Sequence, residues 1–189
     1  MNIGIYGGAF DPPHLSHVWA VGYALSVGGF DKVLVVPCLN HAFGKQMTRF
    51  EDREEMCLQA FSIYGDRVQV SDVEYEIQSR YTSELMDHLI KTRPGDKFSL
   101  IIGEDEWAVF HKWHDYESLL KKVGVLVVGR EGFRPELVQT TSRPALPNIS
   151  SSQIREEIRQ TGLAVFARFR VPQEVLLYIK NHKLYGACG

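Results

Sequence analysis

The chain has 189 residues, 44% of them hydrophobic, with 21 Lys+Arg against 23 Asp+Glu and a formal net charge of −2. That length suits one domain burying about 70% of its unfolded surface, and that charge gives no electrostatic case for nucleic acid or an anionic membrane. Three scattered cysteines, Cys38, Cys57 and Cys188, exclude a disulfide framework and favour a reducing compartment.

At the start, Met1-Asn2-Ile3-Gly4 shows no basic region ahead of an apolar core, so no signal peptide is expected. The longest apolar runs, around Val33–Val36 and Val123–Val128, are strand-sized and too short to cross a bilayer. A cytoplasmic protein is the expectation. Ile3–Tyr6 reads as a strand and Leu15–Val27 as a helix. Between them runs Gly7-Gly8-Ala9-Phe10-Asp11-Pro12-Pro13-His14-Leu15-Ser16-His17. Gly7 and Gly8 are expected to adopt backbone angles closed to other residues and to leave room for a ligand beside the main chain. Pro12 and Pro13 stiffen the turn. His14 and His17 are three apart and share one face of a first helical turn. Free N–H groups and two imidazoles at a helix start suit polyanions, above all phosphates.

Other readings of this stretch fare worse. Paired histidines can ligate zinc, but no cysteine is near in sequence, so no metal site is expected. The G-x-G-x-x-G fingerprint is absent, because the glycines fall at 4, 7 and 8. A Walker loop fails because Gly44-Lys45 is followed by Gln46 and position 39 is not glycine.

Lys32–Val36 is the next strand, closed by Pro37. A loop follows to Met47, and Thr48 with Glu51 makes a capping box for a helix through Ile63. Arg67–Val70 is a strand, with Val73–Ile77 as its extension. Thr82 caps a helix to about Lys91, before the break at Pro94-Gly95. Lys97–Ile102 is a strand ending at Gly103. Short helices around Glu104–Phe110 and Tyr116–Lys121 precede the strand Val123–Val128. The irregular stretch Glu131 to Pro147 has one candidate helix, near Pro135–Val138. Ser150 with Gln153 forms a second capping box for a helix to about Gln160. Pro172, at a first helical position, opens the last helix to Asn181. The alternation of strands and helices argues for an α/β fold, a doubly wound parallel sheet with helices on both faces. Residues 1–189 form a single domain in this reading, the helical portion from about 150 included. Ligands bind beyond the carboxyl ends of such strands, where Gly7, Pro37, Gly103 and Gly129 all fall.

The stretch from Gly7 to His17 resembles the signature of the nucleotidyltransferases that carry H-x-x-H on a Rossmann-like sheet. Ile102-Gly103-Glu104-Asp105 followed by Trp113 resembles the G-x-D…W segment of bacterial nicotinate-nucleotide adenylyltransferases. Arg80-Tyr81-Thr82 resembles their S-Y-T segment, and Ile149-Ser150-Ser151-Ser152-Gln153-Ile154-Arg155 their I-S-S-T-x-I-R. Val171-Pro172 through Tyr178-Ile179 to Leu184-Tyr185 resembles their C-terminal tail.

The resemblance implies transfer of AMP from ATP to nicotinate mononucleotide, with pyrophosphate released, as a step in NAD biosynthesis. It implies that His14 and His17 hold the ATP phosphates and that Ser150, Ser151 and Arg155 form a second phosphate grip. Gly7, Gly8, Ala9, Phe10, Gly103 and Ile149 complete the ATP-binding set, and Asp105 bonds ribose hydroxyls. Gly8, Lys45, Tyr81, Thr82, Trp113 and His114 would take the mononucleotide, Trp113 by stacking on the pyridine ring. Mg²⁺ would enter with ATP, as it usually binds through substrate phosphates, and no protein-held metal is expected. The implied partners are these small molecules, without nucleic acid or membrane; homo-oligomerisation is left open.

Three departures bear on the acceptor. Ser16 stands where the signature usually has glycine, Arg80 replaces the serine of S-Y-T, and Asn40-His41-Ala42-Phe43-Gly44-Lys45 replaces a P-P-H-K/R segment. Two further readings are therefore open: the same chemistry on nicotinamide mononucleotide or another phosphorylated acceptor, and a non-catalytic nucleotide-binding module.

Overall fold

A computed structural model describes residues 1–40, 46–129, 131, 146–162 and 169–187. Its centre is a five-stranded, all-parallel sheet of β1 (Asn2–Gly8), β2 (Lys32–Pro37), β3 (Val68–Val70), β4 (Lys97–Gly103) and β5 (Gly124–Val128). The strand order is β3-β2-β1-β4-β5. The chain steps outward from β1 to β3, then returns to the other side of β1 for β4 and β5. The reversal lies between β1 and β4, and a crevice opens at the carboxyl ends of the strands at such a point.

Strand alternation explains why the runs read as continuously apolar. Val33 and Val35 enter one buried cluster, whereas Leu34 and Val36 enter the other. A parallel strand covered on both faces has no solvent side to make polar. The first cluster packs against α1 (Leu15–Val27), α2 (Phe50–Phe61), α7 (Ser151–Thr161) and α8 (Gln173–Asn181). The second packs against α4 (Thr82–Thr92) and α6 (Tyr116–Lys122). Among the described residues the other two α-helices are short, α3 (Val73–Glu76) and α5 (Glu104–Ala108).

Some expectations need correction. Val73–Ile77 does not extend β3: it forms α3, in which the adjacent residues Val73 and Glu74 are both buried. A strand sends neighbours to opposite faces; one helical turn lets both point inward. Thr48 does not cap α2, whose N-cap is Arg49. Ser150 is the N-cap of α7, but its side chain makes no capping bond. Pro172 is the N-cap of α8 rather than its first residue. The candidate helix near Pro135–Val138 lies outside the described residues.

Candidate active site

A cleft of about 560 Å³ opens at the carboxyl edge, across the ends of β1, β2, β4 and β5. Gly7, Gly8 and Ala9 line it. Contrary to expectation, the two glycines belong to β1 and have no positive φ; their value is in what a side chain would obstruct. A Cβ on Gly8 would come within 3.1 Å of the Phe10 ring, while one on Gly7 meets nothing before the Val36 carbonyl at 4.0 Å. The left-handed residue of the turn is Phe10, with φ 48°.

Phe10 is not among the lining residues. It is 2% exposed, and its ring contacts Tyr6, His17 and Phe61 edge-on at centroid distances of 5.5, 5.0 and 5.9 Å. The sequence reading placed Phe10 against ATP; the structure places it behind the wall, where it buttresses His17.

His14 and His17 both line the cleft. Their rings stack at 3.6 Å with 16° between planes. The His14 backbone N–H donates to Nδ1 of His17 (3.2 Å). An Nδ1 that accepts leaves Nε2 as the proton-bearing nitrogen, so His17 is oriented as a donor. Ser16, where a glycine was expected, donates its hydroxyl to the Pro147 carbonyl (2.7 Å). That bond ties the start of α1 to the segment leading into α7.

The start of α7 brings Ile149, Ser150, Ser151 and Ser152 to the cleft. Ser151 Oγ donates to the Pro12 carbonyl (2.9 Å), so two helix N-termini are held side by side. At the start of α1 the Leu15 and His17 N–H groups already donate to the Arg170 and His14 carbonyls (2.8 and 2.9 Å), so it is the two helix dipoles that favour an anion between them. Arg155 is not among the lining residues. Its Nη1 donates to the Asp11 carbonyl (2.7 Å) and Nη2 to Ser152 Oγ (3.3 Å). The guanidinium is thus committed to the loop beside the expected phosphate position.

On the far side of β1, Gly103 and Asp105 line the cleft. A Cβ on Gly103 would collide with the Asp105 carboxylate, so a side chain there would displace the acid. Tyr81, Thr82, Trp113 and His114 line the same half. Tyr81 stacks on His114 at 4.2 Å, and Ser83 Oγ lies 3.0 Å from His114 Nδ1. Trp113 leans on Phe110 at 4.9 Å and is half-buried. Arg80 is exposed at the margin. Its backbone N–H donates to Glu84 Oε2 (3.1 Å), and this bond leads the causes that hold the Glu84 carboxyl below its ordinary value. Lys45 lies outside the described residues.

The sequence reading missed Glu74 and Cys38, which also line the cleft, and Arg53 beside them. Burial pushes the Glu74 carboxyl up to about 7, opposed by the Leu39 N–H and the Arg53 charge. Burial likewise pushes the Cys38 thiol up to about 11, leaving it neutral and unreactive at ordinary pH. Arg53 is 1% exposed and donates from Nε to the Thr48 carbonyl and from Nη1 to the Ala9 carbonyl, both at 2.9 Å. A signal for Arg53 existed: it sits in the buried stripe of α2 with Phe50, Met56 and Cys57. An arginine on an apolar face needs internal partners. Glu74 carried no comparable sign.

A cytidylyltransferase-like family model matches residues 5–157. A probable nicotinate-nucleotide adenylyltransferase of Anaeromyxobacter sp. (strain K) is 36% identical, covering 97% of this chain and 96% of its own. A protein of the same name from Geobacillus thermodenitrificans (strain NG80-2) is 34% identical, covering 98% and 87%. Among solved structures, the Plasmodium falciparum nicotinic acid mononucleotide adenylyltransferase complexed with NaAD superposes with a TM-score of 0.82 at 21% identity, covering 99% and 98%. At that identity the superposition speaks for the fold.

Proposed function

The chain belongs to the cytidylyltransferase-like family, and from that premise we propose that it is a nicotinate-nucleotide adenylyltransferase. It transfers AMP from ATP to nicotinate mononucleotide, giving nicotinate adenine dinucleotide and pyrophosphate in NAD biosynthesis. The observation that carries the reading is the convergence on one cleft of the stacked His14–His17 pair, the Ser150–Ser152 helix start and the Tyr81–Thr82 and Trp113–His114 segments. The names of the curated relatives support the same substrate pair.

In this reading an oxygen of the mononucleotide's phosphate attacks the α-phosphorus of ATP. A new P–O bond forms as the bond to the β-phosphate breaks, and pyrophosphate carries away the electron pair. A phosphate is already ionised at neutral pH, so the protein need not remove a proton. Its work is positioning and charge neutralisation. His14 and His17, with the N-termini of α1 and α7, face the departing phosphates, and a donor aimed at growing charge stabilises the transition state most. The Ser150 hydroxyl and the backbone at Ser151, whose own hydroxyl is given to Pro12, hold phosphate oxygens, Asp105 takes the ribose, and Trp113 offers a face to the pyridine ring.

Mg²⁺ arrives as part of the MgATP substrate. Such an ion rides on substrate phosphates and water. Incubation with ATP, Mg²⁺ and nicotinate mononucleotide tests the proposal. It predicts equimolar pyrophosphate and dinucleotide; nucleotide binding with no pyrophosphate would make the chain a non-catalytic module.

A further inference from the structure

Asp11 is 3% exposed, yet groups from three distant stretches of chain converge on it. The Tyr185 hydroxyl donates to Oδ1 (2.7 Å). The Thr48 backbone N–H donates to Oδ2 (3.2 Å). Arg155 Nη1 donates to the Asp11 carbonyl (2.7 Å) and lies 3.8 Å from Oδ2. A carboxylate this buried persists only where it is paired and hydrogen-bonded, and here each oxygen has its own donor.

The donor on Oδ1 comes from the far end of the chain, through an unusual backbone. Tyr185 has φ 58°, and Lys183 close by has φ 52°. A non-glycine residue in that region is strained and persists only where its surroundings enforce it. The turn at Leu184–Gly186 follows α8, and its distorted backbone places the Tyr185 ring against the first core cluster. Burial and the Asp11 charge both push the Tyr185 phenol far above its ordinary range, so the hydroxyl keeps its proton and remains a donor.

Asp11 stands immediately before Pro12, the residue that receives Ser151, and three residues before His14. Whatever fixes Asp11 therefore fixes the spacing between the two helix starts that face the cleft.

We infer that Asp11 and Tyr185 are positioning residues for adenylyl transfer: the C-terminal tail locks Asp11, and Asp11 sets Arg155 and the His14–His17 turn in register with each other. This rests on the adenylyltransferase reading and extends it to a tail whose described residues do not line the cleft. Neither residue lines the cleft, nor does Arg155, so their effect passes to the histidines directly and, through the Arg155–Ser152 bond, to the start of α7. A small misplacement of such groups costs rate more than binding, because the transition state is the more demanding of geometry.

The test is Tyr185→Phe, which deletes one hydroxyl from a ring that keeps its packing. Steady-state kinetics run well below each variant's melting midpoint should show kcat lowered about tenfold and KM for the mononucleotide unchanged. In an Arg155→Ala background the same substitution should lower kcat less than about twofold, because residues acting as one unit are not additive. Asp11→Asn should lower kcat further than Tyr185→Phe; if it does not fold, the tyrosine variants still decide. Three results overturn the inference while leaving the activity intact: a Tyr185→Phe kcat within about twofold of wild type, equal losses in kcat and mononucleotide affinity, or effects that multiply with Arg155→Ala. A wild-type chain that releases no pyrophosphate overturns the adenylyltransferase reading itself, and this inference with it.

Discussion

The two halves of the cleft are built differently. The half formed by β1, α1 and the start of α7 is held by hydrogen bonds between segments far apart in sequence: Ser16 to Pro147, Ser151 to Pro12, Arg155 to Asp11, Arg53 to Ala9. The half around Tyr81 and Trp113 has the Ser83–His114 bond and otherwise relies on ring contacts and on side chains open to solvent, Tyr81 at 43% exposure among them. These polar bonds between distant segments, most of them partly buried, fix one geometry, and leaving a donor of the 1%-exposed Arg53 unpaired would cost roughly 1–3 kcal/mol. Ring stacks tolerate sliding. The difference fits a reaction in which phosphate chemistry must be held rigidly while the acceptor is chosen by an adjustable surface.

The largest expected effect falls on the rigid half. His17→Ala should lower turnover at saturating ATP on the order of 10²–10³-fold, with a much smaller change in ATP affinity. Near-normal turnover would mean that the stacked pair merely closes the turn, and the contrast between the halves would lose its chemical meaning.

Glu74 probes the floor of the cleft. Its carboxyl is raised from 4.5 to about 7 in the folded chain, so folding takes up a proton between those values. Its stabilising protonation is complete below the unfolded value and is lost as pH rises through about 7. Between pH 4.5 and about 7 stability therefore falls by about 3 kcal/mol in all, at 1.36 kcal/mol per pH unit. Unfolding curves from pH 4.5 to 8 should show that decline in the wild type and a flatter profile in Glu74→Gln. Matching slopes would show that Glu74 is relieved of its charge in some other way.

On the adjustable half, Trp113→Ala should weaken the acceptor by about 1–3 kcal/mol if the indole stacks on the ring, leaving KM for ATP unchanged. A rise in both constants would instead mark Trp113 as packing for Phe110. The smallest effect is expected at Arg80. An exposed charge is worth about 0–1 kcal/mol, so Arg80→Ala should reduce any preference for an anionic ring by less than about fivefold. A loss beyond tenfold would place the guanidinium on the ring and make this half more exacting than its exposure suggests.

What could be read from the sequence follows the same division. Strands and helices whose apolar spacing is local were legible, and so were the contiguous site segments, because neighbouring residues at a strand end or helix start share one location whatever the rest does. Pairs made by folding were not. Nothing near Asp11 in sequence announces Tyr185, and nothing near Glu74 announces Leu39 or Arg53. Phe10 shows the opposite failure, since its place in a glycine-rich turn suggested a ligand wall while its apolar ring went to the core. Val73–Ile77 misled because a five-residue apolar alternation reads equally as strand or as one helical turn.

The specificity constant for nicotinate mononucleotide against that for nicotinamide mononucleotide, measured in parallel at fixed MgATP, tests the central claim most directly. The Trp113 N–H is given to the Phe110 carbonyl (3.0 Å), so the proposed preference for a carboxylate over a neutral amide rests on the start of α4 at Thr82, on His114 and on the Arg80 charge at the margin, all of which line the cleft. The nicotinate form should therefore have the higher kcat/KM, with pyrophosphate released in equal amount. Equal or reversed constants would contradict the account and show that the ring-side contacts do not set the choice of acceptor.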